Sequence, residues 1–361
     1  MKILVVGPNL NVIGGISNFL QGLIGFLNKN RVVNTYFDTY EAKNRRSQKS
    51  SKFSFSELFG AFFVFLNFIS ILRKEKYDTV ILNTSSYWGF YEKSLMLFIL
   101  KFFRINSVLI VHGADFRLFY DKSKVKFIIR RVLSYPNRTV FVSKEHFEYF
   151  KFELGEDKAF HINVPVIIPQ EKQTLVSAEL DALINYIDKY DKVYLSLSVL
   201  EPRKNVTTIL KAFLDLNIEG ACLLVAGDGP EKSHIKNICK TNESVYFLGP
   251  VRGTIKNYVL NNSDFMICFS DRESYGITFI EAMLCETILI SSPTGVLGEF
   301  SEEQHYIPVC EHKISNLKQS LITASRLPRD ESLEMKKLAF THAQNYTWKS
   351  IGPKLLEIFS V

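Results

Sequence analysis

No two of the five cysteines in this chain of 361 residues stand as Cys-x-x-Cys. Cys222, Cys239, Cys268, Cys285 and Cys310 have no metal-ligand spacing, and most lie in apolar runs. That argues against a zinc site or a disulfide framework and for small buried hydrophobes in a reducing compartment. The chain also lacks an apolar run of the ~20 residues that a spanning helix needs. Its most hydrophobic segment, Leu58 to Leu72, stops short of that length. The opening MKILVVGP breaks at Gly7-Pro8, too early for a signal peptide, so a cytoplasmic protein is expected. Glycine spacing disfavours one more class. Asp38 ends a strand about where a dinucleotide-binding acid would stand, but Gly7, Gly14 and Gly15 do not form Gly-x-Gly-x-x-Gly. No internal repeat or low-complexity tract is present.

A hydrophobic content of 47% and a charged content of 22% are those of a globular protein, and the length suits two ordinary domains. The charge is unevenly divided. Residues 1–165 hold 24 Lys+Arg against 13 Asp+Glu, a balance of +11; the remainder holds 20 against 24, or −4, and the two sum to the overall +7. A basic half joined to a mildly acidic half predicts two domains that meet different partners.

Strand-like and helix-like segments alternate along the chain. KILVVG, VVNTYFD, TVILN, SVLIVH and TVFVS read as strands. Helices are expected over Ser17–Asn28, from a Ser54–Glu57 capping box to about Lys76, and over Glu92–Phe103 and Lys122–Ser134. A further helix, capped by Ser143, should run to Leu154. INVPVIIPQEKQ, with Pro165 and Pro169, reads as a connection. A second series follows: VYLSLSV, helix Val206–Leu216, CLLVAG, helix Glu231–Lys240, VYFLG, helix Thr254–Asn262, DFMICF, a helix, and TILISS. Helices Glu331–Gln344 and Trp348–Ser360 end the chain. Short β-branched strands without alternation suit parallel sheets covered on both faces. The expected class is α/β, two doubly wound Rossmann-like domains facing across a cleft, with ligands at the carboxyl ends of the strands.

The loops at those strand ends hold the candidate chemistry. Gly14-Gly15 precede a helix, where bare amides and the helix dipole favour an anion, or simply make a turn. His112 ends a strand and is either a structural hydrogen-bonder or a site residue. Arg203 and Lys204 lie between a strand and a helix, as a solvated turn or a phosphate clamp. Gly227-Asp-Gly-Pro reads as turn chemistry alone. In ESYGITFIEAM, Glu273 leaves a strand and Gly276 permits close backbone approach. Glu281 follows a little over one turn into the helix. A carboxylate there can accept both hydroxyls of a ribose, and one on the preceding loop the hydroxyls of a sugar.

Taken together these segments are specific. DFMICFSDRESYGITFIEAMLCETILISS resembles the E-x7-E element of retaining glycosyltransferases of the GT-B fold, the family-4-like group 1 glycosyl transferases. LSVLEPRKNVTTILKAF resembles their phosphate-clamp segment, LLVAGDGPE the next strand and turn, and VYFLGPV the strand and loop near the nucleotide base. VLIVHGADFR is similar to their first-domain His loop, IGGISNFL to their first glycine loop, and YTWKSIGPKLLEIF to a terminal helix that crosses back. The resemblance implies an acceptor domain over 1–165, a donor domain over 166–345 and a returning helix over 346–361. It implies that Glu273 holds the transferred sugar, Glu281 the ribose and Lys204 the diphosphate, with His112 by the reacting centre. Gly14, Gly15, Arg203, Gly249, Tyr275, Gly276 and Ile277 would complete the donor site. Two departures stand out. The clamp arginine expected five residues before Lys204 is Val199, and a glycine expected after the Ala-Met-x-Cys run is Glu286.

The implied reaction is transfer of a sugar from a nucleoside diphosphate with retained configuration. The chain has no Asp-x-Asp triplet, so no metal or other cofactor is expected. The basic stretches Lys43–Phe55 and Asp121–Leu133 adjoin apolar residues and favour an anionic membrane surface, or else are a solvated loop and a buried helix. The chain carries no nucleic-acid motif. A lipid-linked or oligosaccharide acceptor in bacterial surface polysaccharide synthesis (lipopolysaccharide or capsule) is therefore expected, at the inner face of the membrane. A nucleotide-sugar epimerase and a non-catalytic partner subunit remain alternatives of the same architecture.

Overall fold

The computed structural model describes residues 1–11, 14–39, 55–113, 115–155, 157–168, 178–273 and 275–360. The basic run from Lys43 to Lys52 and the Ser54 cap lie outside the described residues. The chain forms two compact units, Met1–Pro165 with Trp348–Val361, and Val166–Thr347.

In the first unit the chain order is β1 (Lys2–Gly7), α1 (Gly15–Lys29), β2 (Val33–Asp38), α2 (Phe55–Lys74), β3 (Thr79–Thr84) and α3 (Trp88–Phe102). It continues with β4 (Asn106–Val111), α4 (Phe116–Lys122), α5 (Lys126–Leu133), β5 (Arg138–Phe141), α6 (Lys144–Leu154) and β6 (Ala159–His161). The second unit holds α7 (Ala178–Ile187), β7 (Lys192–Leu197), a 3₁₀ turn over Pro202–Lys204, α8 (Val206–Leu216), β8 (Ala221–Ala226) and α9 (Lys232–Lys240). It closes with β9 (Val245–Gly249), α10 (Gly253–Asn261), β10 (Phe265–Cys268), α11 (Ile277–Leu284), β11 (Ile288–Ser291), β12 (Ile307–Pro308), α12 (Ile314–Arg326) and α13 (Arg329–Ala343). Helix α14 (Trp348–Phe359) returns to the first unit. There the Trp348 ring stacks on Phe26 of α1 at 5.5 Å, and Thr79 Oγ1 donates to the Phe359 carbonyl at 3.0 Å.

Each unit is built on one parallel six-stranded sheet, ordered β2-β1-β3-β4-β5-β6 and β12-β11-β10-β7-β8-β9. Every residue of β3, β8, β10 and β11 is buried, so both faces are covered and the strands need no alternation. In each sheet the chain winds outward from its first strand and then crosses to that strand's other side. The reversal lies between β1 and β3 in one unit and between β7 and β10 in the other. Loops at such a reversal diverge and leave a crevice at the carboxyl ends of the strands.

The expected Ser143 cap is present, its side chain accepting from the His146 amide. The helix expected over Lys122–Ser134 forms only from Lys126, as α5, and α4 ahead of it was not expected. Ser123 is extended, and its hydroxyl accepts the Val125 amide at 3.2 Å, a local bond that competes with the helix ladder. Helix α3 starts four residues before the expected Glu92, from Tyr87 at a positive φ of 57°. Elements β6, α7, β12 and α12 were not foreseen, since short edge strands and mixed-polarity helices carry little periodic signal.

Candidate active site

The reversal between β7 and β10 gathers the charged candidates of the second unit. The loop after β7 makes the 3₁₀ turn that presents Arg203 and Lys204, and Asn205 closes it in the left-handed region at φ 51°. The loop after β10 carries Asp271, Arg272 and Glu273. Backbone and side chains bind the two loops together. The Asp271 amide donates to the Arg203 carbonyl at 2.9 Å, Arg203 Nη1 to the Arg272 carbonyl at 2.9 Å, and Asn205 Nδ2 to Asp271 Oδ1 at 2.7 Å. At the centre Lys204 Nζ is paired with Glu273 Oε1. Ser270 Oγ donates to the same oxygen at 2.8 Å, and the Glu273 amide donates to Thr294 Oγ1 at 3.1 Å. Cys268 lies below, its thiol pushed up to about 11 by burial first and by the Glu273 charge second. Arg203, the other cation of the turn, reaches toward the same carboxylate. Its Nε is held by Glu201 at 2.6 Å and its Nη1 stands 3.9 Å from Glu273 Oε2.

The Gly227-Asp-Gly-Pro turn does more than reverse the chain. A Cβ at Gly227 would lie 1.9 Å from the Ser198 carbonyl oxygen. The turn packs directly on the β7 loop, and the Leu200 amide donates to the Asp228 carbonyl at 2.9 Å. Gly249 accepts the Gly227 amide at 2.8 Å, so the β9 end supports the same turn.

Helix α11 begins where the Glu273 loop ends. Gly276, its N-cap, has φ 91°, and a Cβ there would meet the Phe279 ring at 2.4 Å. Only glycine fits that conformation and that contact. Ile277 opens the helix with amides that have no intrahelical partner, and Tyr275 beside it is buried. Glu281 is 7% exposed. Its Oε1 accepts from Lys256 Nζ at 2.6 Å, and its Oε2 has no hydrogen-bond partner among the described residues. The end of α11 resolves the second departure. The Thr287 amide reaches the Ala282 carbonyl at 2.9 Å and the Glu286 amide the Met283 carbonyl at 3.1 Å, a Schellman closure. Glu286 itself sits at φ 56°, in the conformation glycine ordinarily supplies.

The remaining candidates belong to the first unit. Gly14 is the N-cap of α1, in extended backbone at φ 170°, and a Cβ there would meet nothing within 4 Å. Neither conformation nor packing against the described residues demands glycine at this position. His112 follows β4, buried, against the Phe19 ring at 4.9 Å. Its Nε2 lies 2.9 Å from Asn83 Oδ1, while Asn83 Nδ2 donates to the Val6 carbonyl at 3.1 Å. Asn83 therefore presents an acceptor to the ring, which fixes the proton on Nε2 and leaves Nδ1 without one. Burial pushes the His112 pKa down to about 3, so the ring is neutral at ordinary pH.

Four residues of these arrangements were not singled out from sequence: Ser270, Thr294, Lys256 and Asn83. Ser270 stands three residues before Glu273 at a strand end, and Thr294 in Pro-Thr-Gly after another, so both had a local signal. Lys256 and Asn83 had none, because each reaches its partner only through the sheet. Among the described residues no cluster of three or more His, Cys, Asp or Glu side chains could hold a metal ion.

Residues 181–338, all within the second unit, match the family profile described as glycosyl transferases group 1. N-acetyl-alpha-D-glucosaminyl L-malate synthase of Bacillus anthracis is 30% identical over 129 residues, 35% of this chain and 33% of that protein. Alpha-monoglucosyldiacylglycerol synthase of Streptococcus pneumoniae is 30% identical over 121 residues, 32% of this chain and 27% of that protein. The matched stretch spans about a third of the length of these curated relatives. In architecture the chain is similar throughout to Anabaena HepE, solved in complex with UDP and glucose. The TM-score is 0.74 at 15% identity, over 100% of this chain and 99% of that one.

Proposed function

We propose that this protein is a retaining glycosyltransferase that uses a nucleoside-diphosphate sugar, a reading supported by the match of residues 181–338 to the group 1 glycosyl transferases and by the GT-B fold. The observation that carries the proposal is the Lys204–Glu273 contact where the loops diverge, beside the open amino end of α11. A diphosphate seated at that helix end is favoured by the dipole and takes Lys204 in exchange for Glu273. Glu273, released, faces the sugar hydroxyls, and Glu281 offers Oε2 to the ribose. As the bond from the anomeric carbon to the phosphate oxygen breaks, charge collects on the leaving diphosphate. Lys204 and the helix amides stabilise it. The acceptor oxygen bonds to the anomeric carbon on the same face, and its proton passes to a phosphate oxygen. The absence of Asp-x-Asp and the presence of Lys204 support a reaction without a metal.

The acceptor is assigned to the membrane-lipid or lipid-linked glycan class, within bacterial surface polysaccharide or glycolipid synthesis. Support comes from α3 of the first unit. Trp88, Tyr91, Leu95, Phe98 and Phe102 are exposed at alternating three- and four-residue spacing, a stripe along one helix face. Phe98 packs edge-on to Tyr135 at 4.9 Å, and Lys101 and Arg131 lie over that same ring, so cations border the stripe. Aromatic residues edged by cations suit an anionic bilayer. Among the described residues no helix is long and apolar enough to cross a membrane, so contact would be peripheral. The acceptor face also favours transfer over epimerisation, which needs no acceptor.

The test is a panel of UDP-, GDP- and ADP-sugars, scored by thermal stabilisation and then by transfer in the presence of chelator. A true donor at a hundredfold its dissociation constant adds ~2.7 kcal/mol. Sugar transfer abolished by chelator and restored by manganese would remove the metal-free mechanism; no stabilisation by any nucleotide would remove the donor assignment.

A further inference from the structure

Glu281 is a buried carboxylate whose two oxygens are treated differently. Lys256, on the first turn of α10, occupies Oε1 at 2.6 Å with its side chain 19% exposed, so the pair opens toward solvent on the lysine side. Oε2 is enclosed and unpartnered. A buried acceptor without a hydrogen bond carries the desolvation cost of that group, a cost proteins accept mainly where a ligand supplies the donor. Lysine is a point donor on a flexible stem, but tethered to α10 beside α11 it approaches from one side only. It thereby supplies the counter-charge a buried carboxylate requires and orients the carboxylate plane.

We infer that Lys256 is a positioning residue for the nucleotide: by occupying Oε1 of Glu281 it leaves Oε2 as the acceptor for a single ribose hydroxyl, and so makes the site selective for ribonucleotides over the matching deoxyribonucleotide. The inference rests on the donor reading above. It narrows the expectation that Glu281 serves both ribose hydroxyls. A site built to receive one hydroxyl discriminates against the analogue lacking it, because the buried acceptor is then stranded.

Isothermal titration of the full chain with UDP, and with GDP and ADP in parallel, identifies the nucleotide that binds. The 2′-deoxy and 3′-deoxy forms of that nucleotide follow. The native protein should lose about tenfold in affinity for one deoxy form and little for the other. Lys256→Met should weaken the ribonucleotide by about tenfold while leaving the sensitive deoxy form nearly unchanged, so that discrimination collapses. Lys256→Arg should restore most of it. Lys256→Gln, which keeps a donor near Oε1, serves if the methionine variant does not fold, and should show the same collapse to a smaller degree. Equal weakening of the ribo and deoxy forms, or unchanged discrimination, would overturn the role of Lys256 while leaving the donor reading intact. A native protein that binds none of the three nucleotides would overturn the donor reading, and this inference with it.

Discussion

The two units wind the same kind of sheet and place opposite chemistry on it. In the second unit the strand ends carry opposed charges drawn from different loops, Lys204 against Glu273 and Lys256 against Glu281. In the first unit the corresponding end holds a neutral histidine locked to an asparagine. Their outer surfaces differ in the same sense. Every large aromatic exposed among the described residues belongs to the first unit, on or next to α2, α3, α5 and α6. A parallel doubly wound sheet thus specifies where a ligand can sit and leaves its chemistry to the loops. A polyanionic donor would suit the charged strand ends of the second unit, and the proposed lipid-borne acceptor the basic, aromatic surface of the first.

That contrast can be broken most severely at Lys204. If its charge serves the leaving diphosphate, Lys204→Met should lower kcat by roughly 10²–10³-fold, or about 2.7–4 kcal/mol, with a much smaller change in fold stability. Single-turnover rates and melting curves measure both, and a variant that keeps native kcat would assign Lys204 to structure alone.

Next in size is the division of labour between the glutamates. Glu281→Ala should weaken binding of free nucleoside diphosphate by about 1.5–3 kcal/mol, whereas Glu273→Ala should lower turnover and leave that affinity almost unchanged. Equal calorimetric losses would mean that both carboxylates serve the nucleotide.

The first unit can be challenged on its surface. Replacing Phe102, 83% exposed, and Phe98 with Ser should reduce binding to anionic vesicles by about 1.5–3 kcal/mol for each ring that inserts. Stability should hold, since neither ring is in the core. Added salt should weaken the binding further through the bordering cations. Vesicle sedimentation unaffected by both changes would leave the stripe without a membrane role.

A smaller effect distinguishes the neutral histidine from the charged end. His112 is near 3 when folded and 6.5 when free, so below pH 6.5 the unfolded chain binds a proton that the native state refuses. Stability is therefore complete above about pH 6.5 and falls as the pH drops toward 3, by at most about 1.4 kcal/mol per pH unit from this ring. His146 and His342 are lowered too, mainly by burial, and add in the same direction. His112→Gln, which can still donate to Asn83, should flatten the acid limb of urea titrations by up to one proton; an unchanged slope would contradict the buried neutral ring.

The smallest expected effect is local. Glu286 holds the left-handed position of a Schellman closure at a cost of about 1–2 kcal/mol, partly offset by the chain entropy a glycine would lose. Glu286→Gly should raise stability by about 0.5–1 kcal/mol without touching nucleotide affinity. A lowered melting temperature would show that the Glu286 side chain makes a compensating interaction.

Much of this was legible in the chain itself. Apolar runs without alternation required parallel strands with both faces covered, and their order along the sequence required two wound sheets. Gly276, between a strand and a helix, could be read as a close backbone approach because no side chain fits its φ and its Phe279 contact. Glu273, Glu281 and Lys204 were singled out as candidates because each stands at a strand end or just past a first helical turn, positions that periodicity locates. Tertiary structure alone decided who meets whom. That Lys204 holds Glu273, that Lys256 leaves one oxygen of Glu281 free, and that Asn83 sets the His112 tautomer all depend on side chains from separate crossovers. Such contacts follow from which strands lie side by side, and strand adjacency is a property of the folded sheet that no local spacing encodes.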